Sequence, residues 1–174
     1  MVGTGQQTKT RGLAEELAAV LGQGIDVVAA VSDAVYRHDG PRSSVGAHFR
    51  HNVELVIGLL NGIETGSVDY AARERDEQIA TDRDHAIAAM RTAADGIRQL
   101  GAGELQATLM VRSETDSRIE CVSSVGRELE FLVSHTVHHY ALIAFKLELL
   151  GISVPADFGV APSTVRFWTN KGEN

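Results

Sequence analysis

One cysteine, three prolines and one tryptophan in 174 residues leave this chain few of the residues that staple or punctuate a fold. A lone cysteine, Cys121, cannot form an internal disulfide, which fits a reducing compartment. It reads as a small side chain buried or half-buried in the packing. No apolar run approaches the roughly 18 residues of a membrane span, and no basic-then-apolar leader opens the sequence. Neither a membrane span nor a secretion signal is therefore expected, and the expected location is cytoplasmic. Positive charge is also short: 16 Lys and Arg stand against 23 Asp and Glu, for a net charge of −7. An acidic chain gives no electrostatic reason to bind nucleic acid. Glycine-rich phosphate loops, a Gly-x-Ser-x-Gly elbow, His-Glu-x-x-His and paired-cysteine zinc motifs are all missing.

What remains is a chain of helical periodicities. A length of 174 residues fits one domain over 1–174, large enough for a core without disulfides or a structural metal. The polar first ten residues read as a disordered terminus. Apolar residues from Leu13 to about Tyr36 keep a helical period, with Gly22 and Gly24 as places where it loosens, and His38-Asp39-Gly40-Pro41 reads as a stop and turn. Ser43 or Ser44 can cap a second helix through Phe49, Val53, Val56 and Leu60 to about Glu64, ended by Gly66-Ser67. The charged stretch 68–76 reads as a solvated connector, although Tyr70 and Arg73 are more specific side chains than a spacer needs. A third helix spans about Gln78 to Leu100, with His85 exposed and without a role. Leu105–Val111 and Arg118–Val122 lean toward a small β-hairpin. A fourth helix, capped by Ser124, runs to about Leu150 before Gly151, and the tail 152–174 packs over the helices. Four long amphipathic helices in one domain imply an all-α four-helix bundle.

The chemistry concentrates in Ser134-His135-Thr136-Val137-His138-His139-Tyr140. With Thr136 as the reference direction, Leu129, Leu132, Val133, Tyr140, Ile143 and Leu147 fall within about 60° and mark the buried stripe. His139 lies about 60° from that line, His135 about 100° and His138 about 160°. His135 and His139 thus sit together on a shoulder of the stripe, and His138 points outward. Four residues apart on one face, two imidazoles can reach one ion. A third ligand must come from elsewhere, and the second helix offers His48 and His51. Periodicity narrowly favours His48, while His51 lies on the flank of its helix as His135 does. Three neutral imidazoles leave a divalent ion with an open position, able to lower the pKa of a bound water or thiol and to polarise a carbonyl. Glu128, two turns before His135, reads as an exposed glutamate favoured by the helix dipole, the alternative being an acceptor or base behind the ligands.

Two segments resemble the DinB/YfiT-like superfamily of metalloenzymes, over about Leu13 to Gly151. Ser44-Val45-Gly46-Ala47-His48-Phe49-Arg50-His51 is similar to that family's second-helix start, with a capping residue seven positions before a ligand histidine. His135-Thr136-Val137-His138-His139 is similar to its last-helix His-x-x-x-His signature. The run His139-Tyr140-Ala141 lacks the glycine usual there. Together with Val68-Asp69-Tyr70, Arg73 and the segment 158–164, this resembles an uncharacterised branch. The resemblance implies an up-down-down-up bundle, frequent homodimerisation and a divalent site of zinc, nickel or iron on His51, His135 and His139. It also implies thiol-dependent transferase or isomerase chemistry with a low-molecular-weight thiol of the bacillithiol or mycothiol kind, and the leading expectation is a hydrolase or thiol S-transferase acting on a small molecule. Tyr70, Arg73 and the 161–164 stretch become pocket contacts in that reading. The rival reading is a non-catalytic metal-binding or stress-associated dimer, and a third is a plain helical domain whose histidines hold nothing.

Overall fold

The computed structural model describes residues 4–39 and 43–172. Among them are eight helices and one three-stranded sheet. Helix α1 covers Thr4–Ala30, and a turn of helix α2 covers Asp33–Tyr36. Helix α3 is Val45–Thr65, followed by strand β1, Ser67–Val68. Helices α4, Glu77–Thr81, α5, Arg83–Arg98, and α6, Ala102–Leu105, come next. Strands β2, Thr108–Arg112, and β3, Glu120–Ser124, lead into α7, Val125–Leu149, and the chain finishes with α8, Pro162–Gly172. Among the described residues, no helix is long and apolar enough to cross a membrane.

The four long helices are α1, α3, α5 and α7. Helix α1 packs on α5 and α7, and α3 packs on α7 and α5. Their apolar stripes meet in two buried clusters, one around Leu17, Leu59, Ile97 and Leu129, the other around Tyr36, Phe49, Met90 and Tyr140. Burying such stripes supplies the main favourable term of folding.

Local capping explains where the helices depart from plain periodicity. Helix α1 starts at Thr4 rather than near Leu13, because helical backbone continues into the polar stretch expected to be disordered. Residues 1–3 of that stretch lie outside the described residues, as do 40–42 of the expected turn. The first apolar period is also cut before Tyr36: the Ser32 hydroxyl accepts the Val35 N–H and starts α2 as a separate turn. Asp82 divides the expected third helix in the same way, with extended backbone and a carboxylate that accepts the His85 N–H. Helix α3 keeps its expected extent, because Ser44 caps it and Gly66, at φ 74°, closes it in the left-handed region.

The hairpin forms with Met110 opposite Val122, and β1 adds a third strand parallel to β2, with Ser67 beside Met110. Leu105, expected in the first strand, instead ends α6. Strand β3 lies at the sheet edge, so Cys121 is exposed rather than buried or half-buried. The connector 68–76 is corrected as well. Val68 and Tyr70 are buried, since Val68 joins the sheet and the Asp69 carboxylate accepts the Ala71 and Ala72 N–H groups in a tight turn that aims Tyr70 inward. The sheet joins β1, just after α3, to β3, just before α7, and so ties together the two helices that carry the histidines. In the tail, Phe158 is buried and stacks on Tyr140 at 4.6 Å between ring centroids, whereas α8 leaves Phe167 and Trp168 exposed.

Candidate metal centre

Helix α3 begins at Ser44, whose hydroxyl accepts the Ala47 N–H at 3.1 Å, and this places His48 and His51 in its first two turns. Helix α7 begins at Ser124, whose hydroxyl accepts the Arg127 N–H at 3.2 Å, and carries His135 and His139 on one face. Where the helices meet, His51, His135 and His139 offer nitrogens that all lie within 4.8 Å of one another. The His51 and His135 Nε2 atoms are 2.9 Å apart. Ring centroids are 4.8 Å apart for His51–His139 and 4.7 Å for His135–His139. His138 is exposed, on the outer side.

Three imidazoles about one tetrahedral ion stand with nitrogens roughly 3.3 Å apart, given metal–nitrogen bonds near 2.05 Å. The cluster fits that donor set, and these three histidines could hold a metal ion. Their basicity suits the task, since a ligand must be neutral. Burial, then the Arg73 charge, then the neighbouring histidines bring the His51 pKa down to about 4. Burial, followed by His135 and His51, brings that of His139 down to about 3. Burial and His138 lower that of His135.

His48, which periodicity narrowly favoured, is not within that three-histidine group. Its Nδ1 instead meets the Nδ1 of His139 at 2.9 Å. It stands against His139, outside the group that His51 joins, and one of the two rings donates to the other.

Behind His51 stands Arg73. Its guanidinium donates through Nε to Glu54 at 3.3 Å, through NH1 to the Tyr70 carbonyl at 2.7 Å and through NH2 to the His51 Nδ1 at 3.0 Å. Arginine only donates, so the His51 Nδ1 must present its lone pair and the ring proton must sit on Nε2. The His51 Nε2–H then donates to the His135 Nε2. Glu54 is itself buried, accepts the Asp76 N–H at 2.9 Å, and pairs with Arg50, which also reaches Glu77. Glu54 escaped the sequence reading. The one available signal was its place one turn beyond His51 and four residues beyond Arg50.

Glu128 is buried, not an exposed helix-start carboxylate. Tyr70 donates its hydroxyl to Oε2 at 2.9 Å and Ser123 donates to Oε1 at 2.5 Å. Tyr70 is held well above the ordinary tyrosine range, first by burial and then by the Glu128 charge. Phe131 bridges this pair to the histidines, with its ring 5.7 Å from Tyr70 and 5.4 Å from His135. A cleft of about 1060 Å³ lies between α3, α5 and the 66–82 segment, lined by Glu54, Arg73, Asp76 and His85 among others, but by none of the three histidines. His85 pairs there with Asp76 at 2.6 Å, so it has a partner that the sequence did not suggest. Ala161 precedes α8 and Pro162, Ser163 and Thr164 begin it, and none of the four is buried.

No known protein family matches the chain, and no solved structure matches it. It is similar to FK506-binding protein 5 of Rhizopus delemar, 52% identical over 44 residues, which are 25% of this chain and 11% of that protein. The chain thus spans about a tenth of the length of that curated relative.

Proposed function

We propose that this protein is a divalent-metal-dependent enzyme, a hydrolase or a thiol S-transferase, with His51, His135 and His139 as the metal ligands. The observation that carries the reading is the meeting of these three imidazoles, from two different helices, within 4.8 Å of one another. The low basicity of His51 and His139 supports it, because both rings are neutral at physiological pH. Fold and family belong to the same proposal: a four-helix bundle of α1, α3, α5 and α7 in the up-down-down-up order of the DinB/YfiT-like superfamily, working as a cytoplasmic homodimer.

Zinc, nickel or iron would suit three imidazoles. A bound ion would supply Lewis acidity and favour the ionised form of a water or a low-molecular-weight thiol at its open position. The chain's own residues do the rest. His48 orients His139, Phe131 shields one side of His135 from water, and Arg73 carries the positive charge nearest to His51. The substrate is a small molecule, and neither nucleic acid nor membrane has a part in the reaction.

Elemental analysis of untagged protein tests the ligand set. One metal ion per chain is expected, and full retention in both His135→Ala and His139→Ala overturns it. His48→Ala should keep the ion and His51→Ala should lose it. A panel of thiols and electrophiles, alongside an ester panel, then tests catalysis: metal-dependent turnover supports the enzyme, and none in any panel favours a binding protein.

A further inference from the structure

Arg73 and a metal ion make incompatible demands on His51. If the ion takes Nε2, the ring proton moves to Nδ1 and faces the guanidinium NH2, donor against donor. If the ion takes Nδ1, it displaces Arg73 directly. Only a doubly deprotonated ring could keep both partners. The usual neighbour of a ligand histidine is an acceptor, a carboxylate or a carbonyl, that receives the outer ring proton. Arg73 is the reverse.

The guanidinium is nevertheless well anchored. Nε is held by the buried Glu54 carboxylate and NH1 by the Tyr70 carbonyl, while Glu54 is fixed in turn by the Asp76 N–H and Arg50. Loss of the His51 contact therefore leaves the group in place with one donor edge, NH2, turned toward the centre. A half-buried cationic N–H edge that has lost its acceptor calls for an anionic one, and a carboxylate oxygen would take it in a charge-assisted hydrogen bond.

Resting on the three-histidine reading above, we infer that Arg73 competes with the metal for His51, and that metal loading turns its NH2 edge to a carboxylate of the ligand bound at the centre. Arg73 is thus a specificity-determining residue, and the ligand class is a small carboxylic acid. The competition also makes a testable sign. Removing an ordinary partner behind a ligand typically weakens metal binding by about 10–100-fold. Arg73→Gln, whose carbonyl can accept the Nδ1 proton, should instead tighten it by about tenfold.

The experiment is zinc affinity by chelator competition for the wild type and Arg73→Gln, joined to long-range proton–nitrogen spectra of wild-type His51 with and without zinc. The spectra need no variant to fold. Tighter zinc binding in Arg73→Gln, with His51 changing from the Nε2–H to the Nδ1–H form on loading, is the expected result. Unchanged or weaker binding, or a zinc-loaded His51 whose Nδ1 is neither protonated nor metal-bound, overturns the competition. Acetate titrated against the cobalt-loaded protein, with acetamide as the neutral control, tests the anion. Acetate should perturb the cobalt spectrum of the wild type and bind at least about tenfold more weakly to Arg73→Gln, as expected for a lost charge-assisted bond. Equal binding by the two proteins overturns the assignment of the carboxylate. A wild type that takes up no zinc fails the three-histidine reading itself, whereas zinc binding without the Arg73 effects fails this inference alone.

Discussion

Helix α7 carries a buried carboxylate and, two turns on, a half-buried pair of imidazoles of opposite character. At Glu128 every strong demand is met: Tyr70 and Ser123 each donate a hydroxyl to one carboxylate oxygen. At His135 and His139, nitrogens crowd against nitrogens, with His51 and His48 at 2.9 Å and no carboxylate within the group. A buried polar group that is fully satisfied holds a structure together. Neutral imidazoles from two helices that hold only one another can exchange those hydrogen bonds for an ion. The same helix thus presents one network closed by hydroxyl donors and one cluster of imidazoles that could hold an ion.

The strongest way to break that contrast is to remove a ligand. His135→Ala or His139→Ala should reduce bound metal from one per chain to none by elemental analysis, while the fold seen by far-ultraviolet circular dichroism persists. Tyr70→Phe acts on the other network. It strips a donor from a buried carboxylate and should cost about 1–3 kcal/mol of stability in denaturant unfolding, with metal content unchanged. Metal loss in Tyr70→Phe would mean that the two networks are one.

Acid sharpens the contrast with a smaller effect. In metal-free protein the unfolded histidines titrate near 6.5, whereas folded His51 and His139 do so near 4 and 3. Between those values the unfolded chain binds more protons than the folded one. The contribution is complete above pH 6.5 and is lost as pH falls through the window from 6.5 to about 3, which melting curves across that range should record. Zinc at neutral pH should raise the melting temperature, since it binds the folded state selectively. The smallest effect is expected at His138, exposed on the same run. His138→Ala should keep the metal and change stability by no more than about 0.5 kcal/mol.

Much of the helical layout was legible because capping residues and apolar spacing are local. Ser44, Ser124 and Gly66 act within one turn of where they stand, so α3 and α7 start or stop where their sequence says. The breaks at Ser32 and Asp82 were less legible, since the apolar period runs on past them while the side chain diverts the backbone. Glu128 and Tyr70 were misplaced for a different reason. Each is polar, and their hydrogen bond across 58 residues, with Ser123 on the other carboxylate oxygen, makes the burial tolerable. Glu54 was missed likewise, because its partners Arg73 and the Asp76 N–H come from the far side of β1. Cys121 came out exposed because a sheet edge is a property of strand order, which no single strand encodes.

By itself, then, the sequence determined that His135 and His139 share a helix face and that His138 does not, a consequence of the 3.6-residue turn alone. Tertiary structure decided which histidine of α3 meets them. The grouping of His51 with His135 and His139 depends on the packing of α3 against α7, which puts the His51 ring among the three and His48 against His139. It also placed Arg73 on His51, joining residues 22 positions apart through a turn and a buried carboxylate. Periodicity gives each helix its faces, but only packing decides which faces meet.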